Sequence, residues 1–152
     1  MLDRHNHEDE VYLPEITPRY SYTHDAIYFG EDQIADAKRL LADVDYDMII
    51  GTGLSGGLVI PKLADALGVD WGIVRKEEEQ SHRERRVEGT RFGRKWVFVD
   101  DFVCTGATRE RVQREVENYT RDRNIKTRYA GTLSYRRAVF HPAGIEIDEE
   151  TW

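Results

Sequence analysis

Two acidic residues, Asp100 and Asp101, close the apolar run 96–99 and are followed, after Phe102 and Val103, by the small residues Cys104, Thr105, Gly106, Ala107 and Thr108. Neighbouring carboxylates repel, so local stability gives no reason for the pair. Two acceptors side by side at the end of a strand suit the vicinal hydroxyls of a sugar. The turn after them offers small side chains, successive backbone N–H groups and two hydroxyls at the start of a helical pattern, which is a cradle for phosphate. Sugar diol plus phosphate predicts a phosphorylated ribose.

The elements that must position these groups are readable from periodicity. Ile34, Ala37, Leu41 and Val44 recur at helical spacing, so an amphipathic helix is expected over 31–42 with acidic residues at its start. A short strand over 46–50 runs into the tight, Gly-rich loop GTGLSGG. A second helix follows, with Val59, Leu63 and Ala66 or Leu67 on one face and Gly68 as its stop signal. Strands are expected over 71–75, 96–100 and 127–135, and a helix over 108–120 with Val112, Val116 and Tyr119 aligned. Such alternation predicts an α/β fold with a parallel sheet covered by helices on both faces, and ligands in these sheets bind at the carboxyl ends of the strands. GTGLSGG and DDFVCTGAT both stand at carboxyl ends.

The stretch 76–95 breaks the rhythm, with Val87 and Phe92 as its apolar anchors. A long polar connection of this kind reads as a functional flap or loop, with a short hairpin over 86–97 turning near Gly89 or Gly93.

Composition bounds the rest. At 152 residues the chain fits one domain, with 1–19 as a polar N-terminal tail and 20–152 as the domain. Charged residues make up 34% and hydrophobic ones 39%, which suits a well-solvated surface. The net charge of -7 argues against nonspecific nucleic-acid binding. With Cys104 as the sole cysteine, neither a disulfide framework nor a thiolate zinc site is expected. No apolar run approaches ~18 residues and the N-terminus lacks the apolar core of a secretion signal, so a cytoplasmic setting is expected. His5 and His7, in a polar terminus, are read as solvated side chains.

The segment V-F-V-D-D-F-V-C-T-G-A-T resembles the phosphoribosyl pyrophosphate (PRPP) binding motif of the type I phosphoribosyltransferases, with Phe102 where that family prefers an aliphatic residue. From Asp47 to Thr108 the order of parts is similar to the orotate phosphoribosyltransferase branch: Asp47, Gly51 and Gly56, then L-G-V before V-R-K-E, then Glu88 and Gly89, then the paired acids. The resemblance implies a central parallel sheet flanked by helices, with a long flexible flap and a small hood. It implies transfer of the ribose 5-phosphate group of PRPP to a nucleobase with release of pyrophosphate, Mg²⁺ as cofactor, and a homodimer.

It also implies roles. Asp100 and Asp101 hold the ribose, and the metal indirectly through its hydroxyls or water. Cys104, Thr105, Gly106, Ala107 and Thr108 bind phosphate. Gly53, Leu54, Ser55 and Gly56 bend backbone toward pyrophosphate, where small residues permit close approach. Arg75 and Lys76 match a basic pair that stabilises the leaving group. The family's flap carries a catalytic Lys and a His, whereas a gap-free count puts Glu79 and Ser81 at those positions; His82, with Arg83, Arg85 and Arg86, supplies positive charge after a shift in register. Cys104 stands where purine-handling members commonly have an Asp, and a neutral thiol cannot take that proton. The acceptor is therefore expected to be orotate-like or another base that is not a 6-oxopurine. The hood candidates are 20–29 and 135–152, with Tyr135, Phe140 or Trp152 available to stack on a base or cap the core. Glu79 also keeps open a noncatalytic, PRPP- or nucleotide-binding regulator of the same fold.

Overall fold

Met48, Ile49 and Ile50 are all buried, yet alternate residues of this strand face opposite cores, so the sheet they belong to must be covered on both sides. The computed structural model describes residues 24–76, 86–101 and 106–145. Its elements run α1 (His24–Ile27), α2 (Glu31–Leu40), β1 (Met48–Thr52), α3 (Gly53–Leu67), β2 (Asp70–Val74), β3 (Val87–Gly89), β4 (Lys95–Asp100), α4 (Ala107–Asp122), β5 (Arg128–Ser134) and β6 (Val139–Pro142). The strands form one six-stranded sheet in the order β3-β2-β1-β4-β5-β6. Pairs β1/β2, β1/β4 and β4/β5 are parallel, while β2/β3 and β5/β6 are antiparallel.

On one face Ile49, Val97, Val99 and Leu133 pack with Ala26 and Phe29 of the α1 region, Ala37 of α2, and Val59, Ile60 and Leu63 of α3. On the other, Met48, Ile50, Trp96 and Phe98 meet Val112 and Val116 of α4. The helices carry their own end signals. α2 has Glu31 and Asp32 in its first turn and Lys38 and Arg39 in its last, which complements the helix dipole. α3 stops at Gly68, in the left-handed region.

Three expectations change. The Gly-rich stretch is mostly helix: α3 begins at Gly53, and the tight loop shrinks to the Thr52–Gly53 junction. No hairpin joins β3 to β4, because both edges of β4 are occupied by β1 and β5; β3 pairs with β2 instead, placing Val87 beside Val74 in the α4-side core. Part of the expected hood is sheet, since β6 adds an antiparallel edge, so the sheet is mixed rather than wholly parallel. Tyr135 is 6% exposed and stands edge-on to Phe29 at 5.1 Å, so it caps the core. The 1–19 tail, the flap residues Glu79, Ser81, His82, Arg83 and Arg85, the turn residues Cys104 and Thr105, and Trp152 lie outside the described residues. Among the described residues no helix is long and apolar enough to cross a membrane.

Candidate functional site

Burial of Trp96, Val97, Phe98 and Val99 fixes β4 between its neighbours, and the strand delivers Asp100 and Asp101 to the carboxyl edge of the sheet. The β5 end pins them there: Tyr135 N–H donates to the Asp100 carbonyl at 3.0 Å, and Arg136 N–H and Ser134 Oγ donate to the Asp101 carbonyl at 3.2 and 3.0 Å. Asp101 N–H donates to Asp100 Oδ1 at 2.9 Å. The Asp100 carboxyl is pushed up to about 7, first by burial and then by its hydrogen bond to, and the charge of, Asp101; the Asp101 N–H and the Lys76 ammonium pull the other way. Burial beside a second carboxylate thus disfavours the ionised form of Asp100.

Beyond the paired acids, α4 begins after Gly106, which takes φ 75 as N-cap and accepts from Glu110 N–H at 2.9 Å. A left-handed residue at this point turns the chain into the helix without a side-chain cap. Ala107 and Thr108 are exposed there. Arg109 folds back on the turn, its Nη2 3.5 Å from the position a Gly106 Cβ would take.

On the opposite side lie the ends of β1 and β2. Gly53, φ 68, opens α3, and the Lys76 side chain lies across it: a Cβ on Gly53 would come within 2.6 Å of Lys76 Cε and 3.2 Å of its Nζ. An ammonium is thus held over the first turn of a 15-residue helix, and both act on an anion with the same sign. Within the stretch Gly53, Leu54, Ser55 and Gly56, the two glycines are buried, Ser55 is half-buried and Leu54 points outward, 66% exposed. Arg75 is directed away from Lys76: its guanidinium pairs with Glu88 of β3 at 2.9 Å. Arg86, at the far stem of the flap, pairs with Glu115 of α4 at 2.7 Å.

The structure thus gathers Asp100, Lys76, Gly53 and the Gly106 turn at one sheet edge, while His82, Cys104 and Thr105 lie outside the described residues. Two residues at this edge were not singled out from sequence. Thr52 is buried and its Oγ1 donates to the Val74 carbonyl at 2.7 Å. Arg111 donates through Nη2 to Thr52 Oγ1 at 2.8 Å and through Nη1 to the Arg75 carbonyl at 3.3 Å. The available signal was an Arg flanking the buried stripe of Val112 and Val116, one position off an otherwise apolar face.

No protein-family model matches the chain. Over 112 residues, 69% of this chain, it is 28% identical to a Methanothrix thermoacetophila protein named transcriptional regulator GfcR. Over 70 residues, 42% of this chain, it is 34% identical to a protein of that name from Methanococcoides burtonii. The matched stretches span 53% and 34% of those relatives, so the chain corresponds to about half of their length or less. Among solved structures it is similar to adenine phosphoribosyltransferase from Thermoanaerobacter pseudethanolicus, with a TM-score of 0.52 at 21% identity over 68% of this chain and 65% of that one. It is also similar to Mycobacterium tuberculosis orotate phosphoribosyltransferase in complex with PRPP, with a TM-score of 0.51 at 20% identity over 73% and 58%. At these identities the likeness concerns architecture: the chain has the type I phosphoribosyltransferase fold.

Proposed function

We propose that the chain binds PRPP at this edge and transfers its ribose 5-phosphate group to a nucleobase that is not a 6-oxopurine, releasing pyrophosphate. The observation that carries this reading is the set of groups gathered at one edge. The paired acids at the end of β4 share one sheet edge with the start of α4 and with the start of α3, where Lys76 lies over Gly53. That set matches a ligand with a diol and two phosphate groups. Asp100 and Asp101 accept hydrogen bonds from the ribose hydroxyls, and the first turn of α4 receives the 5-phosphate. Lys76 and the first turn of α3 stabilise charge growing on the pyrophosphate oxygen as its bond to the anomeric carbon breaks. That bond's electron pair leaves with pyrophosphate while a ring nitrogen of the base donates its own pair to form the new C–N bond, and the base's N–H proton passes to solvent.

The donor set fits Mg²⁺ bound through the ligand. Among the described residues no group of three His, Cys, Asp or Glu could hold a metal, and magnesium takes few carboxylates while keeping waters and phosphate oxygens. When bound it would neutralise pyrophosphate charge.

The test is calorimetric titration of PRPP with Mg²⁺ into the native chain and the Asp100→Asn, Asp101→Asn double variant, with pyrophosphate release measured across a panel of bases. Loss of binding by a folded double variant is expected; undiminished binding would place the ribose elsewhere. A second reading, a PRPP-responsive regulator without transfer activity, is favoured by the name of the sequence relatives and by Glu79 at the expected Lys position. It predicts a PRPP-dependent rise in Tm with no pyrophosphate released from any base.

A further inference from the structure

We propose that Arg111 is a positioning residue that keeps the pyrophosphate side of the site in register with the phosphate side, a role that rests on the PRPP reading above. The sheet itself does not supply that register. The β1–β4 ladder ends at Ile50↔Phe98, two residues short of Thr52 and of Asp100, so the ends of β1 and β4 are not paired with each other where the ligand would sit. The β1–β2 ladder continues to Thr52↔Val74. The carboxyl ends of β1 and β2 are thus laddered together, and the end of β4, which leads toward α4, is not laddered to them.

Arg111 joins the two. It belongs to the helix that starts at the phosphate turn, and its two terminal nitrogens reach Thr52 Oγ1 at 2.8 Å and the Arg75 carbonyl at 3.3 Å. Thr52 is the residue before Gly53, and Arg75 the residue before Lys76. Thr52 Oγ1 passes the link on, donating to the Val74 carbonyl at 2.7 Å. One planar guanidinium thus fixes the starting points of both pyrophosphate-side elements relative to α4. A lysine, with a single nitrogen, cannot reproduce a fork spanning two acceptors. Groups held in place before a ligand arrives lose less freedom on binding, so the benefit falls on ligands that use the β1–β2 side.

The experiment is calorimetric titration, with Mg²⁺ present, of PRPP, pyrophosphate and ribose 5-phosphate into the native chain and into Arg111→Lys, Arg111→Met, Thr52→Val and Thr52→Ser, each checked for a cooperative thermal transition. Arg111→Met and Arg111→Lys should weaken PRPP and pyrophosphate by about tenfold or more, the size of a lost charged hydrogen bond, while ribose 5-phosphate changes by less than about twofold. Thr52→Val should weaken the same two ligands, and Thr52→Ser, which keeps the hydroxyl, should bind like the native chain. Should the Arg111 variants fail to fold, the Thr52 pair decides by the same criterion.

Native PRPP and pyrophosphate affinity in the folded Met variant, or in Thr52→Val, overturns the role. Equal weakening of ribose 5-phosphate overturns it too, because general damage is then the cause. Native affinity in Arg111→Lys overturns positioning in favour of charge alone. A native chain that binds none of the three ligands removes the PRPP reading and this role together; a native chain that binds them, with variants that bind equally, removes this role alone.

Discussion

Asp100 is held where its ionised form is disfavoured, and ligand binding is expected to use that form. Its carboxyl, about 7 in the folded chain, stands near 3.9 in an unfolded one. Between those values the folded state binds more protons than the unfolded state, so the group's contribution to stability falls as pH rises from about 4 to about 7. Asp100→Asn removes the ionising group. The variant should melt above the native chain at pH 8, by a margin on the order of 1 kcal/mol after allowance for partial exposure, and the margin should vanish near pH 4. Equal melting temperatures at pH 8 would mean that Asp100 ionises without cost. The same shift predicts that PRPP with Mg²⁺ releases a proton on binding near pH 7, read as a binding enthalpy that follows the ionisation enthalpy of the buffer.

At the scale of elements, the start of α3 serves two ends through one residue. Gly53 adopts φ 68 and leaves the space that Lys76 occupies. Gly53→Ala forces a side chain into the left-handed region and into Lys76, and should cost about 1 kcal/mol or more in stability. The displaced ammonium should also lower PRPP affinity. Lys76→Met separates the two effects: it should lower affinity with stability nearly unchanged, since the ammonium is exposed. Urea unfolding and calorimetry on the two variants check this; a Gly53→Ala chain with native affinity would show that the ammonium's location over α3 is immaterial.

For the molecule as a whole, two cores on opposite faces of one sheet make the site dependent on burial far from any ligand. Phe98 is 0% exposed and packs with Ile50, Val112 and Val116 under α4. Phe98→Ala should cost about 3–5 kcal/mol in urea unfolding. Because α4 carries both the Gly106 turn and Arg111, the variant should lose PRPP affinity beyond its loss of folded population. A stable variant with native affinity would mean that α4 is held chiefly by its other contacts. The net charge of -7 does not describe this edge, where the Lys76 ammonium acts on Asp100 and Arg111 reaches the ends of β1 and β2.

Strand and helix identities, and the position of the paired acids at the end of a buried strand, are local properties: side-chain alternation and turn chemistry act over a few residues, and the sequence displays them directly. β3 illustrates the limit. Val87 announces an apolar anchor, yet whether it pairs with β2 or β4 depends on which strand has a free edge, and the sheet order decides that. Likewise Gly53 and Gly106 mark two turns into helices, but nothing local to either says that Lys76 lies over one. Arg111 and Thr52 are 59 positions apart. Their contact, like the burial that raises the Asp100 carboxyl, arises from how strands and helices are stacked, because separation in space and exclusion of water are set by packing among distant segments. The sequence by itself determined the kinds of elements and the chemistry of the edge; the tertiary structure decided which side chains meet there.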